Sequence, residues 1–401
     1  MAPSTTSPAP ARPLGRVLVW ITEDWFVLSH FRPLLRALVA GGADVCVATR
    51  DAGRRAEIEA LGVRVAHFAV DRANLDPIRE TVTAARFARL IRQERPDFLH
   101  LIGMKPMVVG GLALKLAPGC DPGLVLHVIG TGHVAVSQAF TVRRIVRPAA
   151  LGVIAHLLAR PRSWVFTEQE DDLAFLVSGG ARPGQRFTIL GGAGVDPDHF
   201  APLPPPAGDI PTVGYVGRMI RVKGVDTLVA AFGLLGERGV RVRANLYGAC
   251  DAGNPDALSE DALKALSADP ASQVTWHGPI RDVRQAWATA DMFVLATRGG
   301  EGMPRAMLEA AACARPLIVT DVPGCRTFVR NGIEGLVVSP GDAAGLADAI
   351  ERLAGDPGLR QRMGAAARER VLSGYTERHV AEGILAGYRA LSAIGVAKAA
   401  P

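Results

Sequence analysis

Short apolar runs alternate with longer segments of helical period along nearly the whole chain, the pattern of parallel sheets covered by helices. In the first half, the runs at 17–21, 45–48, 63–68, 98–101, 124–129, 164–167 and 188–190 read as strands. Helical segments separate them, among them 29–40 and a long arginine-rich stretch over 75–95. The period disappears across 191–209, where glycines and prolines crowd together and a linker is expected. A second series follows, with strands at 212–216, 242–246, 274–276, 292–295, 317–320 and 335–338. Two doubly wound α/β domains are therefore predicted, 15–195 and 211–375, joined by a linker at 196–210 and preceded by a disordered tail over 1–14. No repeat of fixed period is visible, which excludes solenoids and propellers.

The length of 401 residues, 49% of them apolar, supports a sizeable core and about two or three domains. Residues 1–10 lack the charged start and the apolar stretch of a secretory signal. The longest nearly uncharged apolar segment in the middle of the chain, 148–159, falls short of the about 18 residues a spanning helix needs. Five cysteines, Cys46, Cys120, Cys250, Cys313 and Cys325, are scattered without a C-x-x-C pair or nearby histidines. This argues against a disulfide scaffold or structural zinc and favours a reducing, cytoplasmic compartment.

Charge changes the picture of the first half. Residues 1–200 hold 23 Lys and Arg against 18 Asp and Glu, a net of +5, whereas 201–401 hold 22 against 21, a net of +1. A positive face suits phosphate or anionic lipid, and with aromatic residues at only 5% a nucleic-acid partner is disfavoured. The segment 141–164 sets Arg143, Arg144, Arg147, Arg160 and Arg162 around Leu151, Val153, Ile154, Leu157 and Leu158. It is expected to lie peripherally on an anionic membrane, at the inner face of the cell membrane. A surface helix with solvated arginines has the same pattern.

Two motifs carry candidate chemistry. The strand at 212–216 runs into Gly217-Arg218-Met-Ile-Arg-Val-Lys223-Gly224 before a helix, so Arg218 and Lys223 leave the carboxyl end of a strand, where open α/β sheets place ligands. Two fixed cations there suit a diphosphate, and they can stabilise charge on a departing nucleoside diphosphate without a metal. The strand at 292–295 leads to Gly299-Gly300-Glu301-Gly302-Met303-Pro304-Arg305-Ala306-Met307-Leu308-Glu309. Its glycines allow a tight turn and Pro304 suits a first helical turn, leaving the amides of Gly302 and Met303 at a positive helix end that can hold a phosphate or a sugar hydroxyl. Glu309 follows Glu301 by about two turns, so both carboxylates can face one cleft.

The context EGMPRAMLEA, with its E-x7-E spacing, follows GRMIRVKG and precedes RPLIVTDVPG and NGIEGLVV. In this order the motifs resemble the retaining GT-B glycosyltransferases of family 4, the group 1 type, over about residues 15–390. The resemblance implies a GT-B fold, two Rossmann-like domains facing across a cleft, with the acceptor on the first domain and a nucleotide sugar on the second. It places Arg218 and Lys223 at the donor diphosphate, Glu301 at the donor sugar and Glu309 at the ribose. Gly217, Gly302 and Met303 adjoin the donor, Leu308 and Met307 are expected to line its pocket, and Trp276 to Ile280 border the base, with His277 read as structural.

In the acceptor half, Ser29-His30-Phe-Arg-Pro33 resembles a stretch that opens the first helix of relatives acting on lipid-linked saccharides, although Ser29 also suits a helix N-cap. Gly103-Met-Lys105-Pro106 resembles the same relatives, making His30 and Lys105 candidates for acceptor contact. A family histidine falls at Ile129, so His127 and His133 are its candidates, His133 being taken as catalytic. Thr327 stands where the family often has glutamate, and Ala314 where it often has glycine. The last helix, 376–396, is expected to pack back on the first domain.

The activity implied is retaining transfer of a sugar from a uridine-linked nucleotide donor to a polyprenyl-diphosphate-linked or other glycan acceptor in cell-surface polysaccharide synthesis, with no metal and no cofactor. The rival reading is a noncatalytic GT-B protein that binds nucleotide sugar and regulates such a pathway; a sugar-nucleotide epimerase is a minor alternative. Two motifs are set aside. Gly130-Thr-Gly-His-Val-Ala135 fits a dinucleotide fingerprint, but the next acid is Glu168. Asp196-Pro-Asp198 mimics a metal site but lies in the linker.

Overall fold

The computed structural model describes residues 13–71, 76–130, 142–251, 254, 256–300 and 302–396, with side chains through 394. The first sheet holds seven strands: β1 (Gly15–Glu23), β2 (Ala43–Arg50), β3 (Arg64–His67), β4 (Phe98–Ile102), β5 (Gly123–Val128), β6 (Ser163–Thr167) and β7 (Phe187–Ile189). Their order is β3-β2-β1-β4-β5-β6-β7, with every pair parallel. The second sheet holds β8 (Thr212–Val216), β9 (Arg243–Tyr247), β10 (Val274–Trp276), β11 (Met292–Leu295), β12 (Leu317–Thr320) and β13 (Gly335–Val338). Its order is β10-β9-β8-β11-β12-β13, again all parallel.

Both faces of a parallel sheet are covered, which is why these strands read as nearly continuous apolar runs. In β1, Leu18 and Trp20 enter one core with Phe87, Met107 and Ile154, from the helices Pro77–Glu94, Met104–Lys115 and Arg147–Leu158. Val17, Val19 and Ile21 enter the opposite core with Leu34, Leu35 and Leu38, from Arg32–Ala40. The Trp20 ring lies 4.1 Å from Phe87 and 5.1 Å from Phe68. The second sheet has one continuous core, with Trp287, Phe232, Phe293 and Phe328 all fully buried.

The final helix, Glu377–Val396, returns to the first sheet and buries Ile384, Tyr388 and Leu391 there. Its Tyr388 hydroxyl is hydrogen-bonded to His100 Nδ1 at 2.9 Å. The outgoing and returning chains cross between the sheets side by side: Val195 N–H donates to Tyr375 O and Glu377 N–H to Val195 O, both at 3.0 Å. Gly194 (φ +74°) makes this possible, because a Cβ there would sit 2.9 Å from the Glu377 backbone.

One expected helix, 29–40, is two. Asp24–His30 precedes Arg32–Ala40, and Phe31 stands between them. Ser29 therefore lies in the last turn of the first helix and is not an N-cap; its Oγ accompanies His30 Nδ1 at 2.7 Å. The break follows from Pro33, which has no N–H to donate to the carbonyl four residues back and whose ring opposes a continuous helix. That carbonyl belongs to Ser29.

Among the described residues, no helix is long and apolar enough to cross a membrane. The helix Arg147–Leu158 corrects the membrane expectation for 141–164. Its apolar stripe, Leu151, Ile154, Leu157 and Leu158, is buried in the first domain's core and is not open to a bilayer. Arg160 pairs with Asp121, and Arg162 donates to Asp121 O at 3.0 Å. Arg143, Arg144 and Ile145 stay exposed in the preceding π-helical turn Val142–Val146, while Thr141 lies outside the described residues.

Candidate active site

Each sheet reverses its winding beside its first strand, between β1 and β4 and between β8 and β11, and crevices at strand carboxyl ends form at such points. The loops after these four strands carry the motifs of the sequence.

After β8, Gly217–Gly224 is held against its neighbours by backbone bonds. Gly217 N–H donates to Tyr247 O at 2.9 Å, Met219 N–H to Ala249 O at 3.1 Å and Arg298 N–H to Val222 O at 2.8 Å. Tyr215 donates its hydroxyl to Arg218 O at 3.0 Å. Gly224 has φ +76°, and a Cβ on it would stand 1.9 Å from Ala296 O, so both conformation and space demand glycine. The loop presents Arg218, with a 55% exposed side chain, paired to Asp251 at 3.0 Å. Lys223 is half-buried on the same loop.

After β11, the helix Arg305–Ala312 starts behind Pro304. Arg305 donates from Nε to Glu309 Oε1 at 2.7 Å, one helical turn along. Its Nη1 crosses the cleft and donates to Ser29 O, the carbonyl that Pro33 leaves without a helical donor. Glu309 is 6% exposed; burial raises its pKa, and Arg305 opposes that rise. Across the cleft, burial takes the His30 imidazole down to about 3, with the Arg305 and Lys223 charges acting in the same direction. His30 is therefore neutral at physiological pH and serves as a hydrogen-bonding group rather than a cation.

A second bridge joins the domains. The Met303 N–H donates to Glu168 Oε2 at 2.7 Å, and Glu168 is only 7% exposed. Beside it, Thr327 Oγ1, whose proton goes to Pro323 O at 2.8 Å, lies 3.5 Å from Gln169 Oε1, and Arg326 meets Asp171 at 3.5 Å.

Gly302 lies against Glu168 and the Ile129 backbone, where a Cβ would come within 3.2 Å of Ile129 C. Met303 is buried and faces Gly192 of the linker. Leu308 and Met307 are fully buried in the second domain's core, so their side chains do not line an open pocket, contrary to expectation. Ile280 packs partly buried on that core. Nearby, His277 stacks on Tyr247 at 4.7 Å and sits 3.0 Å from Asn245 Oδ1.

Lys105 is held at the rim by Glu80 at 2.8 Å and by Asp71 O. His127 is buried against Phe31 and His100, and burial takes its pKa to about 3. Glu301 and His133 lie outside the described residues. Ala314 has φ +59°, a left-handed conformation that accounts for glycine being common at that place in the family. Asp196 accepts the amides of Asp198 and His199 at 3.0 and 3.2 Å, the work of a turn. No group of three or more potential metal ligands occurs among the described residues.

Arg305 and Glu168 are the site residues that sequence reasoning missed. Arg305 lay inside the quoted motif, but its partner Ser29 is 276 residues away. Glu168 follows a strand remote from the winding reversal and carried no local signal.

Comparison with known proteins matches this architecture. Residues 28–189 match the family model of the glycosyl transferase 4-like domain, and residues 210–356 that of the glycosyl transferases group 1. The chain is 24% identical over 372 residues, 90% of its length and 94% of the relative's, to N,N'-diacetylbacillosaminyl-diphospho-undecaprenol alpha-1,3-N-acetylgalactosaminyltransferase of Campylobacter jejuni. It is 29% identical over 170 residues, 42% of this chain and 43% of the relative, to the capsular polysaccharide biosynthesis glycosyltransferase CapM of Staphylococcus aureus. The chain spans about half the length of the first curated relatives it matches. Among solved structures, sucrose-phosphate synthase from Thermosynechococcus elongatus superposes with a TM-score of 0.76 at 22% identity, covering 94% of this chain and 99% of that one. Anabaena HepE in complex with UDP-glucose gives a TM-score of 0.73 at 18% identity, covering 94% and 99%. The chain belongs to the group 1 glycosyl transferase family, with a glycosyl transferase 4-like first domain, and it has the GT-B fold.

Proposed function

We propose that the protein transfers a sugar from a uridine-linked nucleotide donor to a lipid-linked or other glycan acceptor, with retention at the anomeric carbon, in cell-surface polysaccharide synthesis. The observation that carries this reading is the convergence of two second-domain loops, one bearing Arg218 and Lys223 and one starting the helix Arg305–Ala312, on the Ser29–His30 end of the first domain. The Campylobacter jejuni relative is named for a diphospho-undecaprenol acceptor, and HepE was solved with UDP-glucose, which supports these substrate classes.

On this reading Arg218 and Lys223 neutralise the diphosphate as it departs, so no metal is required. Glu309 holds the ribose with the carboxylate oxygen that Arg305 leaves open, and Glu301 positions the sugar. Departure of the diphosphate leaves an oxocarbenium-like sugar, and a diphosphate oxygen takes the acceptor proton on the same face. Neutral His30 orients an acceptor hydroxyl. Contacts between the two domains exclude water during transfer. The protein acts from the cytoplasm on an acceptor presented at the inner face of the membrane.

The test is turnover of nucleotide sugars with a polyprenyl-diphosphate-linked saccharide, the product's anomeric configuration being read by NMR. The expected product retains the donor's configuration, and Arg218→Ala lowers turnover by about 10²-fold or more. Inversion, or normal turnover by folded Arg218→Ala or Glu301→Ala protein, would sink the mechanism. Nucleotide-sugar binding with no transfer to any acceptor would favour the noncatalytic regulator.

A further inference from the structure

The loops that enter the neighbouring strands β4, β5 and β6 meet at their amino ends, opposite the ends that carry the cleft. Between them lies an open cavity of about 500 Å³ whose lining includes Arg92, Arg95 and Arg162. That volume is within the range of small-molecule sites. On its wall, Gly119 (φ +83°) has nothing within 4 Å of the place a Cβ would take, so the space is not filled from that side. The three guanidinium charges are not compensated. Arg92 Nη1 donates to Leu116 O at 2.8 Å and Arg162 Nη1 to Asp121 O at 3.0 Å, bonds to neutral carbonyls that fix the side chains without cancelling their charge. Among the described residues none of the three forms an ion pair, and the buried Arg162 Nε meets no acceptor. Arg95 is exposed and caps its helix at φ +44°, a left-handed conformation that favours glycine or asparagine, so the backbone does not account for an arginine there. The two acidic side chains of the lining are each engaged at one oxygen: Asp97 Oδ2 accepts the Arg16 amide at 2.8 Å, and Asp121 Oδ1 meets Arg160. Asp97 Oδ1 and Asp121 Oδ2 remain as acceptors beside the arginines.

We propose that this cavity binds a phosphorylated polyol, with its phosphate on Arg92, Arg95 and Arg162 and its hydroxyls on the carboxyl oxygens of Asp97 and Asp121. A guanidinium presents a planar fork of N–H donors that matches phosphate oxygens, and it stays charged at any physiological pH. A polyol hydroxyl donates to a carboxyl oxygen, an acceptor that inorganic phosphate, lacking a hydroxylated arm, leaves unused. Cations and acidic side chains in one cavity therefore select the combined ligand over an anion alone. The site stands apart from the cleft and does not depend on the donor reading above. A free polyol phosphate and the glycerol headgroup of a phospholipid share this chemistry, and the experiment separates the two.

Cys120 supplies the readout. It is half-buried and lines the cavity, whereas half-buried Cys250 follows β9 in the other domain and serves as the control. The full chain is treated with a disulfide reagent at pH 8 in the presence of glycerol 3-phosphate, of inorganic phosphate at equal ionic strength, or of phosphatidylglycerol or phosphatidylcholine vesicles. Glycerol 3-phosphate or phosphatidylglycerol vesicles should slow the reaction of Cys120 at least tenfold and leave Cys250 unchanged. Inorganic phosphate should be about tenfold less potent than glycerol 3-phosphate, and phosphatidylcholine should not protect. Protection by the free ester assigns the site to a soluble metabolite; protection by phosphatidylglycerol vesicles alone assigns it to a lipid headgroup. The protection should be lost in Arg95→Asn, which suits the left-handed cap and removes the charge, and reduced in Arg92→Gln, both at exposed positions where folding is retained. No protection of Cys120 by either ligand, protection undiminished in both variants, or inorganic phosphate as potent as glycerol 3-phosphate overturns the proposal.

Discussion

Replacing Arg305 by Met tests the bridge at the centre of the cleft. The substitution keeps the aliphatic stem and removes the charge, leaving Glu309, 6% exposed, without its 2.7 Å partner. Removing one member of a buried ion pair costs about 3–5 kcal/mol. The Arg305 side chain is 23% exposed and Glu309 can protonate, so about 2 kcal/mol is expected near pH 8. For a domain of this size that is roughly 4–8 °C in melting temperature.

The loss depends on pH. Burial raises the Glu309 pKa in the folded protein, so the stability linked to its bound proton is complete below the unfolded carboxyl value and is lost as pH rises through the folded one. Arg305 limits that rise, and without it the folded pKa climbs further. The deficit of Arg305→Met relative to wild type should therefore be small at pH 5 and full at pH 8. Melting curves at both pH values for wild type, Arg305→Met, Glu309→Gln and the double variant separate the terms. Glu309→Gln should relieve the pH-dependent part in the double variant, and the lost bond to Ser29 O should remain as a pH-independent deficit. A deficit equal at pH 5 and pH 8, and unrelieved by Glu309→Gln, would refute the reasoning.

Three further perturbations test other parts of the structure. Gly224→Ala forces an L side chain into φ +76° and against Ala296 O; it should cost about 1–2 kcal/mol for the conformation alone and weaken nucleoside diphosphate binding at least tenfold, and calorimetry showing wild-type affinity would contradict the loop's role. Tyr388→Phe strips His100 Nδ1 of its hydroxyl partner in the core and should lower stability by about 1–3 kcal/mol in denaturant melts; an unchanged midpoint would show that this bond contributes nothing. Of the five thiols, half-buried Cys120 and Cys250 should react with a disulfide reagent at pH 8, whereas Cys325 is buried and burial pushes Cys46 up to about 11 and Cys313 up to about 12; five fast thiols in native protein would contradict that burial.

The strands were the most legible part of the sequence. β8, β10, β11, β12 and β13 occupy the residues their apolar runs indicate, because strands buried on both faces leave a continuous signal bounded by turn residues. The helix break at Phe31 was less visible: Trp25 to Leu28 supply apolar positions in either reading, and Pro33 decides between them through the carbonyl it leaves open. The cations of 141–164 could be read from sequence, but not which side of the helix was buried, and the core took the apolar side. At the site, the loop of Arg218 and Lys223 and the helix of Glu309 follow from neighbouring residues. The bridges made by Glu168 and Arg305 span 135 and 276 residues and exist only once the two domains face each other.

The most direct test of the central claim is a thermal-shift panel of nucleoside diphosphates and nucleotide sugars on wild type and on Arg218→Ala, since a ligand that binds only folded protein raises its stability. The account predicts a shift with the uridine series that Arg218→Ala loses. No shift with any donor, or an equal shift in Arg218→Ala, would contradict the assignment of the diphosphate to this loop.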